Sequence, residues 1–451
     1  MSGQRPDDLA RPSAPGELPI TTLPSELDST PGSLPSEAVS TRKALVFVYA
    51  GYLLRYLYLL VLIPFYGRVL GAGEYGRLLA AMSLYQVVWL LCEYGFPIAG
   101  ARDVAATTDR SRLASLYGQH IAGRLWMAVP GIAIGLGGTL LSPLFNDEPL
   151  LGILATLNGL AAALNLGWYF QGIQRFRTSV ALEVVGFAIN LPVILWFVSG
   201  PGDAWIILAT LLASSLICVT AAHVIAKPTM DRKGVRLRGG WQLVRGSTAL
   251  FAHKGVTMMM ASSSTYLLSL FASASQVGWY GAAERLAAVG LSLMQPANHV
   301  LVGTVSKRIS TKSSEASAYR LMRSSFLVMT GFGVALLLGT LLLAKPLVPL
   351  ILGPAFGPTV GMLNVLALMF PFVAFAQVVS GYVLIPLRRD RLMSAISLFG
   401  ALVTVALILI LAHYREGFGV AVARTCGTVA LAAALLFVLH RERLLNRIWH
   451  A

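Results

Sequence analysis

Residues 204–226 read AWIILATLLASSLICVTAAHVIA, and the chain then turns at once to KPTMDRKGVRLR over 227–238. The first stretch holds no Asp, Glu, Lys or Arg. A helix of about 20 apolar residues spans the hydrocarbon core of a bilayer, because only a helix pairs every backbone polar group within one segment where no water reaches. The second stretch packs Lys227, Arg232, Lys233, Arg236 and Arg238 directly behind it. That is the charge pattern of a cytoplasmic exit. Working outward, comparable apolar segments fall at 44–66, 78–99, 123–145, 150–170, 179–199, 248–272, 286–305, 324–344, 360–386, 392–412 and 419–440. With 204–226 these make twelve expected spans, an even number, so both termini share a side. Of the 451 residues 56% are hydrophobic and 12% charged. A soluble domain carries about a quarter charged residues, so the chain is read as an all-α polytopic membrane protein.

Charge decides the side. The segments on the N-terminal side, from Arg42/Lys43 through the 227–245 run to Arg441/Arg443/Arg447, hold 24 Lys and Arg, and the alternate loops hold five: Arg68, Arg77, Arg285, Lys345 and Arg415. This asymmetry places both termini in the cytoplasm. Residues 1–40 differ in kind, with seven prolines and six acids against Arg5 and Arg11, and read as a disordered cytoplasmic tail. Two six-helix lobes are expected, 41–226 and 248–451, the second ending in a short basic tail, joined by a basic cytoplasmic linker at 227–247. A faint echo relates the lobes: Gly73-Glu74-Tyr75-Gly76 before span two, and Val277-Gly278-Trp279-Tyr280-Gly281 before span eight. Such repeats put a substrate site between the lobes near the midplane. Outside the tail, 33 basic residues stand against 14 acidic ones; positive-inside bias explains that excess, and no nucleic-acid partner is expected.

Catalytic motifs fail their context tests. Gly71-Ala72-Gly73-Glu74-Tyr75-Gly76 matches the dinucleotide fingerprint GxGxxG but lies in a turn between two spans, with no strand before it. No Walker A, HExxH, GxSxG or CxxC motif occurs. Cys92, Cys218 and Cys426 lie singly in apolar stretches, so neither a metal site nor a disulfide framework is expected. Nothing here supports an enzyme or a bound cofactor.

Several stretches match a family pattern: Cys92-Glu93-Tyr94-Gly95-Phe96 with Ala101-Arg102; Gly167-Trp168-Tyr169-Phe170-Gln171-Gly172; Val277 to Arg285, reading VGWYGAAER; then Gln295-Pro296 and Ser306-Lys307-Arg308. Over residues 41 to about 390 the chain resembles the Wzx-type polysaccharide (O-antigen and exopolysaccharide) flippases. These belong to the multidrug/oligosaccharidyl-lipid/polysaccharide (MOP) exporter superfamily, with the MATE antiporters and lipid II flippases. The resemblance implies a MATE-like V-shaped pair of pseudo-symmetric lobes in the bacterial cytoplasmic (inner) membrane. They would alternate access around a cationic cavity that takes an undecaprenyl-pyrophosphate-linked oligosaccharide. A proton or sodium gradient would drive the cycle, with membrane lipids and polysaccharide polymerase machinery as partners.

A pyrophosphate head cannot cross hydrocarbon without fixed cations to meet it. Arg suits that role, since its fork bonds two oxygens at once. Arg55 lies near the middle of the first span with Tyr52 and Tyr58 three residues either way, so the three share a face. This Tyr/Arg stripe is read as the contact for phosphate and sugar; the alternative is a structural ion pair of Arg55 with Glu93 or Glu183. His253 and Lys254 open span seven and are the next candidates, with snorkelling of Lys254 to the interface as the alternative. Glu93 and Glu183 are the acids read as lying inside spans and could carry the coupling ion. Arg124 and Arg285 read as span-end residues, and Arg424 as an intramembrane cation without an evident partner. Two other functions compete: a MATE-like multidrug/cation antiporter, whose cavity should favour acids, and a membrane-embedded glycosyl-transfer enzyme, which should show paired carboxylates and a large external loop.

Overall fold

Gly71, with φ 71° and ψ 176°, breaks the first helix, α1 (Thr41–Glu93), into two arms. That backbone region is open to glycine and strained for other residues. Tyr94 (φ 46°) and Gly95 (φ 74°) then stop the second arm, and α2 (Phe96–Ala105) restarts with a proline in its first turn. α3 (Arg110–Leu141) is capped by the Asp109 carboxylate, which accepts the Ser111 and Arg112 amides, each at 3.1 Å. There follow α4 (Pro149–Ala163), α5 (Gly167–Gly172), α6 (Phe176–Phe197) and α7 (Ala204–Ala226). Between α6 and α7, hydrogen bonds from Ser199 and Gly200 hold the part-buried Asp203 carboxyl below its ordinary pKa.

α8 (Leu237–Leu250) runs through a wider π-type turn into α9 (Val256–Ser262) and α10 (Ser264–Ser269). Next come α11 (Ala274–Ser292), α12 (Glu315–Leu352), α13 (Thr359–Ala367), α14 (Phe370–Val378) and α15 (Asp390–Arg441), the last broken at Glu416. The computed structural model describes residues 41–229, 231, 237–294, 315–384 and 389–441, all within the unit Val39–Ala451. The expected tail at 1–40 and the Gln295-Pro296 and Ser306-Lys307-Arg308 stretches lie outside the described residues. Among those described, every regular element is helical, and eight helices are long and apolar enough to cross a membrane. Counted by arms and short helices in series, they accommodate about twelve spans, as the sequence predicts.

Several boundaries differ from expectation: α3 begins at Arg110, not 123, and two others bear on the site. Span eight starts at Ala274, not 286, because Glu284 and Arg285, which broke the apolar window, lie inside a continuous helix. The stretch 227–247, read as a linker, ends in helix. There α8 lies along α3 so closely that a Cβ on Gly240 would sit 2.4 Å from the Ala122 backbone.

The sequence echo is a physical contact. The second arm of α1 and α11 run side by side in one direction, with Gly73 opposite Ser275, Gly76 opposite Gly278 and Leu79 opposite Gly281. A Cβ on Gly76 would fall 1.8 Å from the Ala274 carbonyl oxygen, and one on Gly278 would fall 2.0 Å from that of Ala72. Only glycine fits either position. Tyr75 and Tyr280, one from each motif, are fully buried beside this crossing in the largest hydrophobic cluster.

Candidate functional site

A cavity of about 470 Å³ opens beside the crossing, walled by the second arm of α1, α9–α10, α11, the α13–α14 junction and α15. Its chemistry comes from two adjacent residues midway along α11. One oxygen of Glu284 accepts from the Arg424 guanidinium of α15, and the other accepts from the Thr265 hydroxyl of α10. The carboxylate thus ties three helices together and is neutralised in place. Arg285 turns to α1, where its Nη2 lies 3.1 Å from the Met82 sulfur, a weak acceptor. Among the described residues no carboxylate is within ion-pair distance of Arg285. Both arginines line the cavity, so among the described residues its polar wall carries two cations against one acid.

The surrounding joints are hydrogen-bonded. Ser83 of α1 donates to the Ser262 carbonyl at 2.6 Å and accepts from the Tyr266 amide at 3.2 Å, fastening α1 to the α9–α10 junction. Tyr266 donates onward to the Gly138 carbonyl of α3 at 2.8 Å.

A second charged cluster lies nearer the end of α1. Arg124 is 2% exposed, its guanidinium over the rings of Trp168 at 5.3 Å and Phe96 at 5.7 Å. One Nη donates to the His120 carbonyl at 3.1 Å, and Glu93 lies within electrostatic range. Arg124 is therefore no span-end residue: the aromatic faces, through their ring quadrupoles, hold a fully buried cation. The Trp168 of the matched GWYFQG stretch is one of those faces, while Tyr169, also buried, bonds Thr229 at 2.6 Å and pins the chain after α7.

Those of the sequence-expected residues that the structure describes lie elsewhere. Tyr58 donates to Asn190 Oδ1 at 2.6 Å and stacks on Phe187 at 4.5 Å, joining the first arm of α1 to α6. Glu183 is part-buried on α6. None of Tyr58, Glu93 and Glu183 lines the cavity. The side chains of Tyr52, Arg55, His253 and Lys254 lie outside the described residues; Tyr52 and Arg55 sit on the first arm of α1, His253 and Lys254 at the turn between α8 and α9. Glu284, read only as part of a motif, and Arg285, read as a span-end residue, both lie within α11, and Glu284 supplies the partner Arg424 lacked. No grouping of metal-ligating side chains occurs among the described residues.

Comparison with known proteins agrees with this architecture. At 13% identity the chain shares its fold with a lipid II flippase, MurJ, in an inward closed conformation: TM-score 0.68, over 88% of this chain and 87% of that one. At 14% identity it matches an inward-facing multidrug resistance MATE family transporter of the MOP superfamily: TM-score 0.64, over 86% and 96%. A Shigella dysenteriae protein named as an O-antigen transporter is 19% identical, covering 81% of this chain and 92% of the relative. One of the same name from Escherichia coli (strain K12) is 21% identical over 86% and 94%. The family model described as polysaccharide biosynthesis protein matches residues 41–308, well over half of the chain. The chain is a multi-pass membrane protein on the flippase and MATE fold, and it belongs to the polysaccharide biosynthesis protein family.

Proposed function

We propose that this protein flips undecaprenyl-pyrophosphate-linked oligosaccharide repeat units across the bacterial cytoplasmic membrane by alternating access, with both termini in the cytoplasm. The observation that carries this reading is Arg285: a cation midway along α11, facing the cavity, with no carboxylate partner among the described residues. A charge at mid-membrane costs about 2.5–3.5 kcal/mol on insertion scales, so an uncompensated arginine there calls for an anionic ligand. A pyrophosphate supplies it, and the guanidinium fork can hold two of its oxygens. The glycan and polyprenyl chain would then occupy the volume around the charged wall.

The relatives named for O-antigen transport and the lipid II flippase fold support a lipid-linked glycan as cargo. A cation antiporter is the weaker reading, because the one acid among the described cavity residues is already neutralised by Arg424. Glycosyl transfer is weaker still, since that acid has no second carboxylate beside it among the described cavity residues. The test is a cell dependent on this protein for its surface polysaccharide. Arg285→Ala should reach wild-type abundance yet leave precursor on the cytoplasmic leaflet, and Arg285→Lys, which keeps charge without the fork, should restore part of the flux. Wild-type polysaccharide from Arg285→Ala would overturn the assignment.

A further inference from the structure

The cavity holds a second arginine that is occupied. Arg424 reaches across from α15 to Glu284 on α11, and the other oxygen of that carboxylate is held by Thr265 on α10. Both Arg424 and Glu284 are only part-buried, and both line the same space as Arg285. A phosphate drawn in by Arg285 therefore arrives beside a guanidinium whose present partner is a single carboxylate. Phosphate oxygens accept the arginine fork as well as a carboxylate does, and they bring more charge. Once Arg424 turns to the ligand, Glu284 has lost its counter-ion in a membrane interior. A carboxylate stranded there is costly as an anion and acceptable as a neutral acid.

We infer that the Glu284–Arg424 pair is an exchangeable lock: binding of a lipid-linked phosphate transfers Arg424 to the ligand, and Glu284 takes up a proton from solvent, so headgroup and proton bind together. The O–H bond forms on a Glu284 oxygen, the ion pair breaks, and no other group changes state. The neighbours of Glu284 fit this exchange. On its own helix stand Arg285 and, one turn earlier, Tyr280; Arg424 faces it from α15 and Thr265 from α10. Across the cavity α1 presents Tyr85 and Gln86, with Tyr75 buried nearby, and the α13–α14 junction presents only Leu366 and Met369. No described neighbour other than these arginines can balance the carboxylate. The same surroundings disfavour a sodium ion, because Glu284 and Thr265 offer few oxygens and two guanidiniums oppose any metal cation.

This inference rests on the reading of the cavity as a phosphate site, and the experiment separates the two. Farnesyl pyrophosphate, a short prenyl pyrophosphate, is titrated calorimetrically into the purified full-length protein at several pH values, and in buffers of different ionisation heat. For the wild type, binding should take up close to one proton more than for Glu284→Gln. Its affinity should fall by up to tenfold per pH unit relative to that variant, since one linked proton changes the constant by a factor of 10 per unit. Glu284→Gln, a shape-conserving mimic of the protonated acid, should bind more tightly than wild type at neutral pH. The ligand's own ionisation is common to both proteins and cancels in the comparison. Equal proton uptake and parallel pH profiles would overturn the lock while leaving the phosphate site standing. No binding by a folded wild type with an unchanged thermal transition would overturn the phosphate site itself.

Discussion

Glu284 and Arg285 are neighbours in sequence but differ in what they face. Glu284 is tied to α10 and α15, whereas Arg285 points at α1, where the Met82 sulfur is its acceptor and no described carboxylate pairs with it. The sequence shows this pair as a break in hydrophobicity, since two charges in a row end an apolar window. Its membership of a helix becomes visible only when Arg424, far along the chain, neutralises one of them. Arg124 escapes sequence reading for a related reason: its compensation comes from the faces of Phe96 and Trp168, residues that carry no charge to search for. Arg55 was legible as a mid-span cation, and its side chain lies outside the described residues. Tyr58 one turn on is bonded to Asn190 and stacked on Phe187, and Glu183 lies one turn before Phe187 on α6. If Arg55 contacts the lipid phosphate, as its mid-span position in the sequence leads one to expect, Arg55→Ala is inserted at normal abundance and is inactive. Low abundance restored by adding Glu183→Gln would assign Arg55 to a structural pair instead. Quantitative blotting beside a polysaccharide assay distinguishes the outcomes.

Apolar runs made most elements legible, because a bilayer leaves a chain few options besides a helix. Their ends were less so. The break at Gly71 follows from glycine's freedom, and the start of α11 does not follow from composition at all. The pairing of α1 with α11 stood in the sequence only as a weak repeat of Gly and Tyr; its meaning is steric, since Gly76 and Gly278 are where two backbones touch. Small residues allow this close approach between membrane helices. Gly76→Ala should destabilise the protein by about 1–3 kcal/mol, the usual cost of overpacking. Gly137→Ala serves as control, because a Cβ there meets nothing within 4 Å. Thermal unfolding in detergent should separate the two variants. Equal transitions would mean that the crossing yields easily and does not define the interface.

Across the whole molecule, the number of spans, the fold and the family could be read from the sequence, whereas the position of the charged wall could not. A membrane interior makes every charge costly, so the informative charges are those the fold leaves uncompensated, and compensation is a property of tertiary contacts. Here the described cavity residues include one cation more than acids, and it lies midway along α11. The most direct measurement is translocation of a lipid-linked oligosaccharide in proteoliposomes, followed by loss of its accessibility to an enzyme added outside. Wild-type protein should equilibrate the lipid between leaflets far faster than protein-free vesicles do. Arg285→Ala, which loses a charge-assisted bond of about 1.5–3 kcal/mol, should slow it roughly 10- to 100-fold. Translocation by Arg285→Ala at the wild-type rate, or none by wild type, would contradict a phosphate-gripping cavity.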